Sequence, residues 1–427
     1  MSIAVSQQNS QINEPNNKMN AYRDIYEQFF DDASFLWILR SIAVEQPHYN
    51  AADLHELEQR IEAQLDGLMT AVEDAWEICL QGFELEEPGE VFTATVIAFR
   101  SHDISKIQKA IEVGLSNDDT TKGLISAMGW LPGKLVHPWI KKFFTSKDLN
   151  HKYLALAACS VRRENPGEYL NKILDRDDCK QHEKLYSRAL RLIGEIRRQD
   201  LMPYLNAAMN LEQENIRFWS SWSAILLGNR TAVSNLESYV FKAGRYQMNA
   251  INIAFRVLPI EQARKWISKL VADKSQSRIV IKATGILGDP HAVNWLITKM
   301  REPAEARLAG EAFTLITGIN LEESQLSVEA SPEFLAQADD ETGDDVTLDE
   351  DENLPWPDPE KVSAIWINQG KNFIAEKRYF MGKQIQPDLL VDKLANATQR
   401  QRHAAAIDLA LTESPMTLQN TRSRIHG

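Results

Sequence analysis

The segment from Leu287 to Ile297 constrains the fold of this chain more strongly than any other part of its sequence. Gly288 is suited to end one helix, and Asp289 is suited to cap the next one with its side-chain oxygen. Pro290 then fits the first helical position, where no backbone donor is needed. The apolar residues that follow at three- and four-residue steps define one helical face: Val293, Leu296 and Ile297. The segment therefore predicts the hinge of a helical hairpin.

Weaker versions of this hinge recur upstream at a nearly constant period. Gly285 stands eleven residues before Leu296, and earlier small or apolar residues stand eleven residues before other apolar positions. These aligned positions follow one another at steps of 30, 35, 31, 30 and 30 residues: Gly129, Cys159, Gly194, Ile225, Phe255 and Gly285. All hinges but one contain a proline: Pro132, Pro166, Pro203, Pro259 and Pro290. The period predicts an all-α fold, an α-solenoid in which each hairpin buries its apolar face against its neighbours.

Two resemblances follow from these motifs. The pattern Leu-Gly-Asp-Pro-x-Ala-Val-x-x-Leu-Ile at 287–297 resembles the short HEAT-like repeats of phycobilin lyases. The C-terminal third is similar to an uncharacterised bacterial HEAT-repeat family often encoded among type VI secretion genes. The residues that carry this second resemblance are 311–318, 354–359, 377–382 and 402–410, with a looser fit at 35–40. The resemblance implies protein handling in secretion and transfers no catalytic residue.

The blocks on either side of the repeats are helical but do not follow the period. Apolar residues at three- and four-residue steps predict an amphipathic helix near the N-terminus: Leu54, Leu57, Ile61, Leu65, Leu68 and Met69. We expect the N-terminal block to cap the repeats, and the C-terminal block either to cap their other end or to fold back as an appended module. The predicted segments are a disordered tail (1–18), an N-terminal helical cap (19–100), a HEAT-like solenoid (101–326), an acidic flexible linker (327–357) and a C-terminal helical module (358–427).

Several features of the sequence suggest a cytoplasmic protein. The three cysteines, Cys79, Cys159 and Cys179, are odd in number and widely spaced, which suits a reducing compartment and fits neither a disulfide framework nor a zinc site. The first 17 residues are rich in Gln, Asn and Ser and lack the apolar core of a signal peptide. No apolar run approaches the length of a membrane span. We therefore expect no membrane insertion.

The charge of the chain is concentrated in one segment. The chain has 60 acidic and 47 basic residues, and residues 327–360 contain 13 of the acidic residues and no Lys or Arg. The remainder is formally neutral, with 47 of each, which argues against nucleic-acid binding because phosphate contacts require a basic surface. One basic cluster stands near a hinge: Arg188, Arg191, Arg197 and Arg198. It is either a solvated turn that faces acids of another repeat or a basic patch for nucleic-acid phosphates.

The acidic segment has two interpretations. It is either a flexible loop, too charged and too poor in apolar residues to fold, or an element that engages a basic partner surface. On the second interpretation the candidate contact residues are Asp344, Asp345, Asp349, Asp351 and Trp356. A calcium-binding loop fails on spacing, because alignment on Gly343 would place Ala338 at the first ligand position.

An aromatic column in the repeat alignment supplies the other candidate partner-binding residues. One position of the second helix is aromatic in four of six repeats, and a shift of one residue adds a fifth: Trp139, Tyr169, Tyr204, Trp295 and, after the shift, Trp266. If second helices line the concave wall of the stack, this column is a peptide-binding stripe. Alternatively, the rings pack between repeats.

No motif for catalysis, a metal or a cofactor occurs in the sequence. It lacks His-Glu-x-x-His, Gly-x-Ser-x-Gly and a phosphate-binding glycine loop, and its nine histidines stand singly. Asp177-Asp178-Cys179 with His182 is the nearest approach to a reactive-thiol setting, and capping roles suit these residues better. We expect a non-enzymatic protein-binding scaffold without a cofactor, most simply an adaptor or chaperone for a type VI secretion effector or spike component. The alternatives are an immunity protein that neutralises a secreted toxin and a HEAT-fold enzyme, lyase-like or acting on DNA.

Overall fold

The computed structural model describes residues 15–329, 349–412 and 415–425, with side chains from residue 22 onward. It confirms an all-α, helical-repeat fold. Two compact units can be distinguished: one comprises Met1–Ser41, His55–Trp139 and the last two residues, and the other comprises Ile42–Leu54 and Ile140–Ile425. The expected acidic contacts Asp344 and Asp345, and most of the tail predicted for 1–18, lie outside the described residues. Helix α1 begins at Pro15, within that predicted tail.

The first unit is built from helices that begin before residue 133. Their bounds are α1 (Pro15–Ala43), α2 (Ala51–Met69), α3 (Val72–Gly82), α4 (Pro88–Ser101), α5 (Ile104–Gly114) and α6 (Asp118–Trp130). Trp37 is central to its core, because its ring stacks on Phe92 at 5.3 Å and its Nε1 donates to Ser126 Oγ at 2.8 Å. Beside it, Arg40 forms a buried ion pair with Glu58 at 2.7 Å.

Helices α4 and α5 form a hairpin of the same kind as the predicted repeats. His102 ends α4 in the left-handed conformation, and the Asp103 side chain caps α5 by accepting from the backbone N–H groups of Ser105 and Lys106. The predicted boundary between residues 100 and 101 therefore cuts a hairpin and was wrong by about one helix. The period itself extends to this hairpin, since Phe99 stands 30 residues before Gly129.

The second unit contains a stack of helical hairpins followed by a C-terminal segment. Helices from this part of the chain are α7 (Gly133–Thr145), α8 (Leu149–Arg162), α9 (Glu168–Asp175), α10 (Asp177–Gln181), α11 (Glu183–Glu195), α12 (Met202–Ala208), α13 (Glu214–Leu226), α14 (Glu237–Phe241), α15 (Gln247–Val257), α16 (Ile260–Val271), α17 (Ser277–Leu287), α18 (Val293–Lys299), α19 (Pro303–Thr317), α20 (Pro359–Gln369), α21 (Pro387–Asn396) and α22 (Gln399–Ala410). The first helices of successive hairpins, α8, α11, α13, α15, α17 and α19, pack against one another.

Close packing of these first helices explains the small residues in the aligned column. A Cβ atom on Gly194 would lie 2.7 Å from the backbone of Ser223 in the next first helix, and one on Gly285 would lie 3.1 Å from Ala312. The predicted hinge is confirmed in detail. Gly288 ends α17 with φ 70°, and the Asp289 side chain accepts from the backbone N–H of His291 directly after Pro290.

The C-terminal segment folds back along the first helices. Its one strand pair among the described residues, β1 (Tyr379–Phe380) and β2 (Lys383–Gln384), joins the ends of α17 and α19. The N–H of Tyr379 donates to Gly288 O and that of Met381 to Leu315 O, both at 2.7 Å. These strands could not be predicted from the sequence, because two residues are too few to show an alternation of apolar and polar side chains. Residues after the last helix also pack on the hinges, where Arg163 Nε donates to Leu418 O at 2.7 Å.

Candidate binding cavity

A cavity of about 560 Å³ lies within the second unit, between the first helices and the C-terminal segment. Four consecutive first helices supply one wall: Arg191 of α11, Trp222 of α13, Met248, Asn249, Asn252 and Arg256 of α15, and Lys282, Gly285 and Ile286 of α17, continued by residues of α19. None of its lining residues comes from the second helices α9, α12, α14, α16 or α18. The first helices therefore form the wall that the repeat stack contributes to this cavity.

One column of the repeat alignment that was not predicted as a binding site lines this wall. Four residues stand three positions before the aligned column of Gly194, Ile225, Phe255 and Gly285: Arg191, Trp222, Asn252 and Lys282. Their polar, aromatic and basic character in an otherwise apolar helix is the signal that predicts an exposed face. The second-helix column was identified more readily from the sequence, because most of its members are aromatic.

The opposite wall is formed by α22 and the residues after it. His403, Ala406, Ile407 and Asp408 of α22 line the cavity, together with residues 418–422. Asp408 is fixed by two cations, Arg256 at 3.1 Å and Arg378 at 3.6 Å. Backbone contacts hold the residues that follow, since Arg197 donates to Ala410 O at 3.3 Å and Asn420 donates to Val161 O at 2.8 Å.

His403 is held in one tautomer by two hydrogen bonds. Its Nε2 lies 2.8 Å from the carbonyl oxygen of Val44, which can only accept, so Nε2 carries the proton. Nδ1 then accepts from the Thr421 hydroxyl at 2.5 Å. Burial, reinforced by the nearby charges of Arg422, Arg402 and Arg400, lowers the pKa of His403 to about 4. The ring is therefore a neutral structural link between α22, residue 44 and the tail.

Three consecutive acidic residues, 349–351, lie along α17 and α19, and we call them the acidic strap. Glu350 pairs with Lys282 at 2.7 Å, Asp351 pairs with Arg278 at 2.7 Å, and Asp349 pairs with Arg307. Asp351 is only 2% exposed. The prediction of a flexible linker was thus wrong for this described end of the segment, because three cations of the first helices compensate its charge.

Trp356 and the base of the acidic insertion are also ordered. The Arg307 guanidinium stands 4.6 Å from the centroid of the Trp356 ring. Val328 N–H donates to Trp356 O at 2.9 Å, and Asp358 N–H donates to Leu326 O at 2.7 Å, so the two ends of the insertion pair as antiparallel chains. Asp358 then caps α20, as the sequence predicts. The insertion is a loop closed at its base.

A second charged group, which we call the arginine cluster, comprises Arg163, Arg188 and Arg191 around Glu195. Glu195 is fully buried and lies 2.8 Å from Arg191 and 3.3 Å from Arg163, and it also accepts from the Ser160 hydroxyl. Burial alone would raise the pKa of Glu195, but the three guanidiniums and the hydroxyl lower it to about 2. The cluster therefore holds three cations and one anion, a net charge of +2.

Arg188 is the least satisfied member of the cluster. Its Nε is buried and has no hydrogen-bond partner among the described residues. Burial, together with repulsion from Arg191, lowers the pKa of Arg188 to about 10 in spite of the attraction of Glu195. Arg191 makes a cation–π contact, with its guanidinium 4.3 Å from the centroid of the Trp219 ring. The sequence groups these two arginines with Arg197 and Arg198. In the structure Arg197 instead donates to backbone carbonyl oxygens, and Arg198 pairs with Asp200.

The predicted aromatic column packs against preceding repeats instead of lining the cavity. Tyr169 stacks on Phe144 at 4.9 Å, and Tyr204 donates to Asp175. Trp266 lies edge-on to Phe241 at 5.8 Å and is 5% exposed. Trp139 contacts Phe99, and Trp295 packs on the core around α18 and α19. These contacts agree with the interpretation that the rings pack between repeats, and the cavity is lined by the first helices.

The cysteines are not reactive centres. Cys79, Cys159 and Cys179 are free and buried. Burial raises the pKa of Cys159 to about 12 and that of Cys179 above its ordinary value. Near Cys179, Asp178 pairs with Arg176 at 2.5 Å. Among the described residues, no group of three or more His, Cys, Asp or Glu side chains is arranged to hold a metal ion.

Comparisons with known proteins leave the family resemblance untested. No family model, curated protein or solved structure matches this chain. A search of the helices in the described part of the chain finds none with the length and apolar character needed to cross a membrane.

Proposed function

We propose that this protein is a non-enzymatic scaffold that holds an extended segment of another protein in the cavity of its second unit. One observation carries the proposal: the first-helix wall already receives non-helical segments of its own chain, namely the turn that contains the acidic strap and the irregular residues 418–420. The acidic strap lies across α17 and α19 through ion pairs, and residues 418–420 lie across the hinges through hydrogen bonds to Arg163 and Val161. A partner segment would use the same two kinds of contact in the space between them.

The resemblance of the C-terminal third supports a more specific role. We propose that the segment belongs to a type VI secretion effector or spike component and that the protein acts as a cytoplasmic adaptor or chaperone in its loading. The buried, reduced cysteines are compatible with that compartment. Nucleic acid is a poorer candidate ligand, because the cavity is not uniformly basic: four acidic residues line it beside six Lys or Arg residues, and the acidic groups would repel a phosphate backbone.

An affinity pull-down from the native bacterium, read by mass spectrometry, tests both levels of this proposal. The test variant is Asn249→Trp, which fills the cavity from an exposed position on α15. The matched control is Lys265→Trp, at an exposed position of the second helix α16 that does not line the cavity. The partner should be recovered with the wild type and the control and lost with Asn249→Trp. Equal recovery with both variants would overturn the cavity as the binding site.

The recovered partner and the deletion strain separate the specific roles. Recovery of an effector or spike component, together with loss of its delivery on deletion, supports the adaptor role. Recovery of a single small toxin domain, with poisoning of the deletion strain, would replace that role with immunity. The scaffold proposal would survive in either case.

A further inference from the structure

Some basic residues of the first-helix wall already pair with carboxylates of the same chain, and others at equivalent positions do not pair with the strap. Lys282 and Arg191 occupy equivalent positions, each three residues before an aligned glycine, Gly285 or Gly194. Both line the cavity. Lys282 is paired with Glu350 of the acidic strap at 2.7 Å. The strap thus shows one ligand chemistry that this face accepts: carboxylates carried by a non-helical segment of chain.

The same face has cations in excess at its other end. Among the described residues, Glu195 is the one carboxylate that forms ion pairs within the arginine cluster, with Arg163 and Arg191. At α17 and α19, by contrast, each of Arg278, Lys282 and Arg307 has a strap carboxylate of its own. No strap residue pairs with a member of the arginine cluster. A buried guanidinium is costly unless its charge and its N–H groups are matched. The cluster therefore has the charge for a further anion.

Geometry makes this excess charge available to a ligand. Arg163 and Arg191 line the cavity, and their side chains are 18% and 32% exposed. Arg188 stands beside them with its buried Nε unpartnered among the described residues. The Arg191 guanidinium also stands over the Trp219 ring, 4.3 Å from its centroid, which restricts its position.

We propose that the arginine cluster is a carboxylate-binding subsite that receives acidic side chains of the partner segment. The inference deepens the proposed scaffold function and rests on it for the identity of the partner. The bound carboxylate would accept from the lining residues Arg191 and Arg163, much as Glu350 accepts from Lys282, and the charge of Arg188 beside them would add to the attraction. Lining residues Trp222 and Met248 would contact the apolar part of the same segment.

A direct binding measurement tests the subsite without the native partner. Fluorescein-labelled hexaglutamate and hexaglutamine peptides are titrated against the full-length protein, with binding read by fluorescence anisotropy. Hexaglutamate should bind and hexaglutamine should not. Arg188→Gln should weaken hexaglutamate binding roughly tenfold, as expected for loss of one of the three positive charges of the subsite. The control, Arg217→Gln, removes an exposed arginine of α13 that is not a lining residue and should leave affinity unchanged.

Three results would overturn the subsite. They are equal binding of the two peptides, equal affinity in Arg188→Gln and Arg217→Gln, and competition by inorganic phosphate at concentrations far below those of free glutamate, which would indicate a phosphate site. Circular dichroism of each variant establishes that it is folded. Arg188→Gln should fold, because no described residue depends on the Arg188 Nε.

The pull-down distinguishes failure of the subsite from failure of the scaffold. If Asn249→Trp loses the native partner while Arg188→Gln retains it at full yield, the scaffold proposal stands and the carboxylate subsite is wrong. If hexaglutamate binding depends on Arg188 while Asn249→Trp still captures the partner, the subsite stands and the cavity is not where the partner binds.

Discussion

Arg256 of α15 and Asp408 of α22 form a buried ion pair that joins the repeat stack to the C-terminal segment across 152 residues of chain. Their side chains are 2% and 7% exposed, and Nε lies 3.1 Å from Oδ2. Arg378 approaches the other carboxylate oxygen at 3.6 Å. One carboxylate therefore holds two guanidiniums, and the wall formed by α22 depends on it.

Asp408→Asn should destabilise the second unit by about 3–5 kcal/mol, because it leaves Arg256 buried without a compensating charge. Urea denaturation followed by circular dichroism measures the loss. The matched control is Asp388→Asn, which changes an exposed aspartate of α21 and should alter the free energy of unfolding by less than about 0.5 kcal/mol. Equal stability of the two variants would show that the ion pair does not hold α22 in place.

Glu195→Gln should cost a similar amount, about 3–5 kcal/mol, because it removes the one carboxylate that pairs with the arginine cluster in the described part of the chain. The pKa of Glu195, about 2, lies below its ordinary value of 4.5. Its contribution is therefore fully present above about pH 4.5 and is lost as the pH falls toward 2. Denaturation at pH 7 and pH 3 checks both points. The difference between wild type and Glu195→Gln should shrink at the lower pH, and a difference independent of pH would contradict the assigned ionisation.

The local helix signals in the sequence predict much of the repeat stack, because each depends on a few neighbouring residues. The cap Asp289, the first-turn Pro290 and the helix-ending Gly288 act as predicted. The path of the C-terminal segment is not predictable in this way. It depends on contacts such as Arg256 with Asp408, between residues far apart in the chain, and no periodicity encodes them.

The candidate site was predicted less well for the same reason. The alignment groups Tyr169 and Trp266 with the other aromatics. It does not show which helices line a cavity, because the cavity forms only where the C-terminal segment folds back over the first helices. Asp351 is a second example of a residue whose environment depends on contacts distant in the chain. Its acidic surroundings predict solvent exposure, whereas the pairing with Arg278 at 2.7 Å buries it.

His403 should make the stability of the second unit depend on pH. Its pKa in the folded protein is about 4, against an ordinary value of 6.5, so the unfolded chain binds the proton more readily. Stability should be unaffected by this group above about pH 7, fall as the pH drops below 6.5, and level off below 4. The full loss is as much as about 3 kcal/mol.

The variant His403→Gln isolates this effect, since an amide can donate to Val44 O and accept from Thr421 without titrating. Urea denaturation of the two proteins between pH 7.5 and pH 4.5 gives the comparison. The wild type should lose stability more steeply than the variant over this range. Parallel curves would mean that the imidazole is protonated as easily in the folded protein as in the unfolded chain.

Trp266→Ala should destabilise the repeat stack by about 3–5 kcal/mol, the range for truncation of a large buried aromatic. The ring is 5% exposed and lies edge-on to Phe241 and Phe255, so its removal leaves a cavity between neighbouring hairpins. Thermal denaturation measures the stability, and the pull-down at a temperature where the variant remains folded measures partner binding. Packing predicts lower stability with binding retained. Unchanged stability with the partner lost would instead restore the aromatic column of the second helices as the binding surface.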